Sequence, residues 1–210
     1  MSAICAEFHS LARRGTEHSF PFDRAHLPLN GIYVLFETCE EAHGGSRIVR
    51  VGTHTGDDQL PSRLVQHFVN ENKDRSIFRK NIGRALLNKA ADPFLAEWEL
   101  DRTSRAARKR YGVEQQTAKR QAVEGDVTKY LQGHFRFVVL RVDDKSDRLT
   151  LESRIIGTVS GCDLCRPSTG WLGLSSPKEK IRQSGLWLVN ELYKAPLTQA
   201  DLQLLGTLLT

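Results

Sequence analysis

Apolar residues recur along this chain with two different periods. Gly31-Ile-Tyr-Val-Leu-Phe36, Arg47-Ile-Val-Arg-Val-Gly52 and Phe135-Arg-Phe-Val-Val-Leu-Arg-Val142 are β-branched and aromatic runs that read as strands. The first two flank a polar stretch, Glu37–Ser46, that contains Gly44-Gly45 and predicts the loop of an antiparallel hairpin. Leu60, Leu64 and Phe68 instead repeat at helical spacing, widened by Val65 and Val69, with Pro61 suited to a first turn. Ser76 is placed to cap a second helix bearing Phe78, Ile82 and Leu86. Asp147 is placed to cap a later one bearing Leu151, Ile155 and Val159. Residues 93–100 fit either strand or helix, and 103–132 read as polar helix with breaks near Gly112 and Gly125. Thr198 with Asp201 opens a C-terminal helix.

The pattern predicts an α+β fold: a small, mostly antiparallel central sheet flanked by helices, with a helical insertion and a C-terminal extension. Residues 1–28 read as an N-terminal arm with one short helix. Residues 29–160 form the main domain with a basic insertion at 101–133, and 161–210 an extension packed on it. A chain of 210 residues can build such a core without staples. No run approaches the ~18 apolar residues of a membrane span. The first residues lack the basic start and apolar stretch of a secretion signal, so a cytoplasmic location is expected.

Charge sharpens the picture. The formal net charge is +5, but it is unevenly placed. Between residues 63 and 89 seven cations (Arg63, Lys73, Arg75, Arg79, Lys80, Arg84, Lys89) face only Glu71 and Asp74. Residues 101–148 hold twelve cations, from Arg102 and Arg108 to Arg148, against seven acids. Polyphosphate is a common partner of such patches, and solvated helix faces are the plainer alternative. Cys162 and Cys165 form one CxxC, but no second pair exists and no histidine follows. They read as ordinary reduced cysteines before a zinc or redox site.

Set in order, these features resemble the GIY-YIG endonuclease superfamily, and its restriction-enzyme-like branch in Ser76–Gly83. Gly31-Ile32-Tyr33 lies on the first strand and Val49-Arg50-Val51-Gly52 ends the second. Arg63-Leu-Val-Gln-His67 follows on a helix, and Glu152 sits on a later helix. The resemblance implies an endonuclease that hydrolyses phosphodiester bonds in DNA with Mg²⁺, for which Mn²⁺ can substitute. It implies that Tyr33 positions or deprotonates the attacking water and that Glu152 alone holds the metal.

The residue types suit that chemistry. A free tyrosine ionises near pH 10, so a base at Tyr33 needs cations close by. Arg63 and His67, at i and i+4, share one helix face. A guanidinium there can grip a phosphate as charge builds, and His67 can bond Tyr33 or pass a proton to the leaving group. Glu152, beside a buried stripe, needs either an arginine such as Arg148 or Arg154 or a hard cation. Arg50 replaces the family's second-motif tyrosine, which marks either a substitution of means or an inactive, nucleic-acid-binding scaffold. The family's asparagine has no clean match, with Asn190 a distant candidate. His54 is an accessory candidate, otherwise an exposed turn residue. Lys73, Arg79, Lys80 and Arg84 are expected to contact phosphates. Trp171 and Trp187 are expected in the core. A role in restriction or defence fits the resemblance, and oligomeric state stays open.

Overall fold

The computed structural model describes residues 2–101, 104–111 and 117–208. Helix α1 (Ser2–Ala12) and the short strand β1 (His18–Ser19) precede the hairpin of β2 (Gly31–Ala42) and β3 (Gly45–Gly52). Helices α2 (Leu60–Phe68), α3 (Ile77–Lys89), α4 (Leu95–Glu99), α5 (Arg105–Tyr111) and α6 (Ala118–His134) follow. Strand β4 (Phe135–Arg141) and helix α7 (Lys145–Ser160) lead to α8 (Glu179–Ser184) and α9 (Gln199–Thr207). The strands form one antiparallel sheet in the order β1-β4-β2-β3, so the architecture is α+β. Among the described residues, no helix is long and apolar enough to cross a membrane.

The unbroken apolar run of β2 follows from its position, because both faces of the sheet are covered. Ile32, Val34 and Phe36 pack with residues of α1, α7 and α9, whereas Tyr33 and Leu35 pack with α2, α3 and α6. The segment expected as an arm contributes Cys5, Phe8, Leu11 and Ala12 to the first cluster, beside Leu186, Leu197, Leu202 and Leu205.

Several local expectations are corrected. The polar stretch 37–46 is not a loop: β2 runs through it and turns at His43-Gly44, both left-handed (φ 53° and 73°). Such a two-residue turn matches the strand twist. Its acids mislead because they are buried against donors. Glu37 accepts from Tyr130 (2.5 Å) and from the indole N–H of Trp171 and Trp187 (2.8 Å each), and Glu40 from Arg47 (2.6 Å). Both tryptophans are therefore core, as expected. Helix α7 is capped by Asp144, whose carboxylate accepts from Asp147 N–H (2.9 Å), so Asp147 lies in the first turn. Residues 95–99 are helical, with Trp98 seated against Gly83 of α3. Helix α6 passes through Gly125 unbroken, while the break expected at Gly112 lies outside the described residues. Ser76 caps α3 and Thr198–Asp201 forms a capping box, both as expected.

Candidate active site

The register of β3 against β2 slips by one: Leu35 faces Arg50 but Phe36 faces Ile48, leaving Val49 extra. A bulge of this kind re-aims the side chains around it. Val49 packs toward α2 and α3, and the Arg50 guanidinium lies 4.7 Å over the ring of Phe78 on α3. Arg50 donates to the Trp187 carbonyl, while its Nε is buried with no hydrogen-bond partner among the described residues. Asn81 of α3 has a second such orphan, Nδ2. Arg50 and Asn81 line a cleft of about 430 Å³ together with Glu152, Asn190 and Glu191.

Glu152 enters this cleft from α7. Burial raises its carboxyl to about 7, against the opposing influence of Arg50, the Thr53 backbone N–H and Arg63. Neither arginine weighed as its partner reaches it. Arg154 pairs with Asp201 (2.8 Å), and Arg148 donates to the carbonyls of Val142 and Asp143. Glu152 is thus a largely buried carboxylate without an ion-pair partner among the described residues, an arrangement that disfavours the charged form unless a cation arrives.

Arg63 does not line the cleft, although its charge acts on Glu152. It donates to Gln66 Oε1 and the Arg75 carbonyl (3.0 Å each) and lines a separate pocket with Thr53, His54 and Gln59. His67, one turn on, is wholly buried. Its Nε2 lies 2.8 Å from Tyr33 Oη and its Nδ1 2.7 Å from Ser76 Oγ. Burial, then Arg63, Arg50 and Arg79, holds its pKa well below the usual histidine value, so the ring is neutral. A neutral imidazole carries one N–H. When Tyr33 donates to Nε2, Nδ1–H donates to Ser76, and a tyrosinate would reverse both bonds. With both nitrogens engaged, His67 serves to hold Tyr33 and is not placed to protonate a leaving group. Tyr33 is 1% exposed and lines neither pocket. Tyr33, Arg63 and Glu152 therefore do not line one open surface: Arg50 and Glu152 share the cleft, Arg63 lines the pocket with Thr53 and His54, and Tyr33 is buried outside both.

The four cations expected to contact phosphate fold inward instead. Arg79 is fully buried on Glu124 (2.8 Å) and also donates to the His67 carbonyl. Lys73 bonds Asp74 (2.6 Å) and the Leu100 carbonyl. Lys80 donates to the Glu99 carbonyl (2.9 Å), and Arg84 grips the Glu99 carboxylate with two nitrogens (2.6 and 2.7 Å). Two of the balancing acids, Glu99 of α4 and Glu124 of α6, lie outside the 63–89 stretch, and Asp74 lies within it. His54 is likewise not an exposed turn residue. It is buried, its Nε2 accepts from Gly31 N–H, its Nδ1 lies 2.6 Å from the Gly56 carbonyl, and burial lowers its pKa. Asn190 does reach the cleft, exposed at its edge. Asn81, Glu191 and Ser76 were not foreseen as site residues, although Ser76 caps α3 and Asn81 follows directly on Arg79 and Lys80, whose charge drew attention.

The GIY-YIG domain family profile matches residues 9–209, nearly the whole chain. The chain belongs to the GIY-YIG domain family. Members of this family are in general nucleases. Comparison with curated proteins and with solved structures returns no match. The glycines of the two GIY-YIG motifs have a physical reason here. A Cβ on Gly31 would stand 2.4 Å from the Leu140 carbonyl oxygen, and one on Gly52 2.3 Å from Tyr33 Oη. Gly52 therefore lets the tyrosine of the first motif lie across the strand of the second.

Proposed function

We propose that the cleft beside β3 hydrolyses phosphodiester bonds in DNA with the help of Mg²⁺ held by Glu152. One observation carries this reading: a carboxylate without a counter-ion faces two buried donors without acceptors, Arg50 Nε and Asn81 Nδ2, across one concave surface. A phosphate with a divalent cation complements both deficits. The cleft lining beside Glu152 offers oxygens, from the amide of Asn190 and from Glu191, which is paired with Lys194 (2.7 Å), and oxygen ligands suit a hard cation such as Mg²⁺ or Mn²⁺. When bound, that cation supplies Lewis acidity and leaving-group stabilisation.

The chain's own residues supply the rest. Arg50 and Asn81 donate to phosphoryl oxygens, and Arg63 approaches from its own pocket as charge develops. Tyr33 orients or deprotonates water, its hydroxyl held by His67, whose other ring nitrogen is held by Ser76. That role requires the cleft to open toward Tyr33, and the burial of Tyr33 favours the second reading, a weakly active or inactive nucleic-acid-binding scaffold.

Plasmid nicking separates the two. Wild-type protein should relax supercoiled DNA with Mg²⁺ and not with EDTA, and Tyr33→Phe and Glu152→Ala should lose the activity. Absence of nicking by wild type across metals and salts would leave the binding scaffold. Nicking that survives Glu152→Ala would overturn the metal assignment.

A further inference from the structure

Four side chains that the cleft does not use converge on the α1 and α7 side of the sheet: Cys5 of α1, His43 at the β2–β3 turn, and Cys162 and Cys165 just past α7. The sulfurs of Cys5 and Cys165 are 3.4 Å apart. His43 Nε2 lies 3.2 Å from Cys165 Sγ and 3.5 Å from Cys162 Sγ, and the Cys162 thiol also adjoins that of Cys5. Tetrahedral zinc, with bonds of about 2.3 Å to sulfur and about 2.0 Å to nitrogen, sets its ligands about 3.6–3.8 Å apart. The observed separations lie just inside those edges.

We infer that Cys5, His43, Cys162 and Cys165 form a structural Zn²⁺ site. His9 is close by, its ring atoms within 4.8 Å of three of the ligand atoms, but its nitrogens are spent. Nδ1 lies 2.9 Å from the Cys5 carbonyl and Nε2 accepts from Ile48 N–H (3.2 Å). Both bonds are satisfied by a neutral ring, which then walls the site and braces Cys5 as outer-sphere partners of metal ligands do. Three thiolates select a borderline-soft ion over Mg²⁺, and four protein ligands close the site to substrate. A disulfide is a poor alternative account. The Cys5–Cys165 sulfur separation of 3.4 Å far exceeds the bonded distance of about 2.05 Å, and all four cysteines are free.

The surroundings are built to hold this geometry. His43 adopts the left-handed conformation of a tight turn where asparagine or glycine would be the easier choice. Arg13 fastens that turn to α1 by donating to the carbonyls of Ala42, His43 and Ser46. A metal here would tie α1, the hairpin turn and the start of the segment after α7 into one unit. That segment covers the β3 edge through Trp187 N–H to the Val49 carbonyl (2.8 Å) and delivers Asn190 and Glu191 to the cleft.

The test is metal analysis of the full chain, produced with zinc and purified without chelator, by mass spectrometry alongside thiol counting. One zinc per chain is expected. Cys5→Ser and Cys165→Ser should carry at least about tenfold less, whereas Cys39→Ser and Glu152→Gln should keep it. Should the serine variants fail to fold, wild-type protein stripped and reloaded with Co²⁺ should show the intense visible absorption of tetrahedral thiolate coordination, and His43→Cys should retain it. A zinc-free chain after refolding with zinc, a pale octahedral cobalt spectrum, or a Cys5–Cys165 disulfide in a non-reduced peptide map would each overturn the site.

Discussion

Helix α3 meets charge on two sides with opposite outcomes. Toward α4 and α6, Arg79, Lys80 and Arg84 are closed off by Glu124, Glu99 and backbone carbonyls. Toward β3 and α7, Asn81 and the neighbouring Arg50 keep unsatisfied donors, and Glu152 keeps an unbalanced carboxyl. The first region is dense in cations and has no use left for a phosphate. The second has fewer charges and every reason to take one up. Cation density along the chain therefore does not locate the binding surface. The missing counter-charge beside β3 is what the proposed site rests on.

The largest effect that could break this contrast lies on the closed side. Arg79→Ala should cost about 3–5 kcal/mol in urea unfolding, since it strands Glu124 in the interior. A loss below about 1 kcal/mol would mean that the pair is solvated and its cation available.

On the cleft side the effect has a pH signature. Burial raises Glu152 from the ordinary 4.5 to about 7, so between those values the folded chain holds a proton that the unfolded chain has released. Stability should then fall as pH rises through that window, by about 3 kcal/mol at most. Glu152→Gln should flatten the fall, and millimolar Mg²⁺ should offset it in wild type by binding the ionised form. A melting profile that Glu152→Gln leaves unchanged would place the carboxyl in solvent.

A smaller effect joins the two sides, since His67 touches both: its carbonyl accepts from Arg79 and its ring holds Tyr33. Tyr33→Phe should destabilise by about 1–2 kcal/mol, because it leaves a buried ring nitrogen without its partner. The smallest contrast appears in DNA binding. Arg63→Gln should lower the slope of log affinity against log salt by about 1, and Lys80→Gln should not change it. Equal slopes would return Lys80 to the phosphate-contacting set.

Much of this was legible in sequence. The strands, Ser76 as the α3 cap, the i, i+4 relation of Arg63 and His67 and the Gly31–Gly52 hairpin depend on local periodicity, and the structure keeps them. Glu152 was singled out by the GIY-YIG resemblance, and its place beside Leu151 and Ile155 left either an arginine or a cation as its partner. What failed was long-range pairing. Arg84 and Arg79 looked uncompensated because Glu99 and Glu124 lie 15 and 45 residues further on. Cys162 and Cys165 looked incomplete because Cys5 stands 160 residues before Cys165 and His43 119 residues before Cys162. Glu37 and Glu40 read as loop because nothing local shows that Trp171, Trp187 and Arg47 would bury them. Burial of Tyr33 was also hidden, since a strand tyrosine with its ring inside and one facing a site have the same spacing.

The central claim is that Glu152, and not the α3 cations, belongs to the reacting site. Initial rates of Mg²⁺-dependent plasmid nicking by Glu152→Gln and Lys80→Gln, at equal folded protein, test it directly. The account predicts that Lys80→Gln cuts at the wild-type rate while Glu152→Gln falls by about 10²-fold or more. Cutting retained by Glu152→Gln but lost in Lys80→Gln would contradict it.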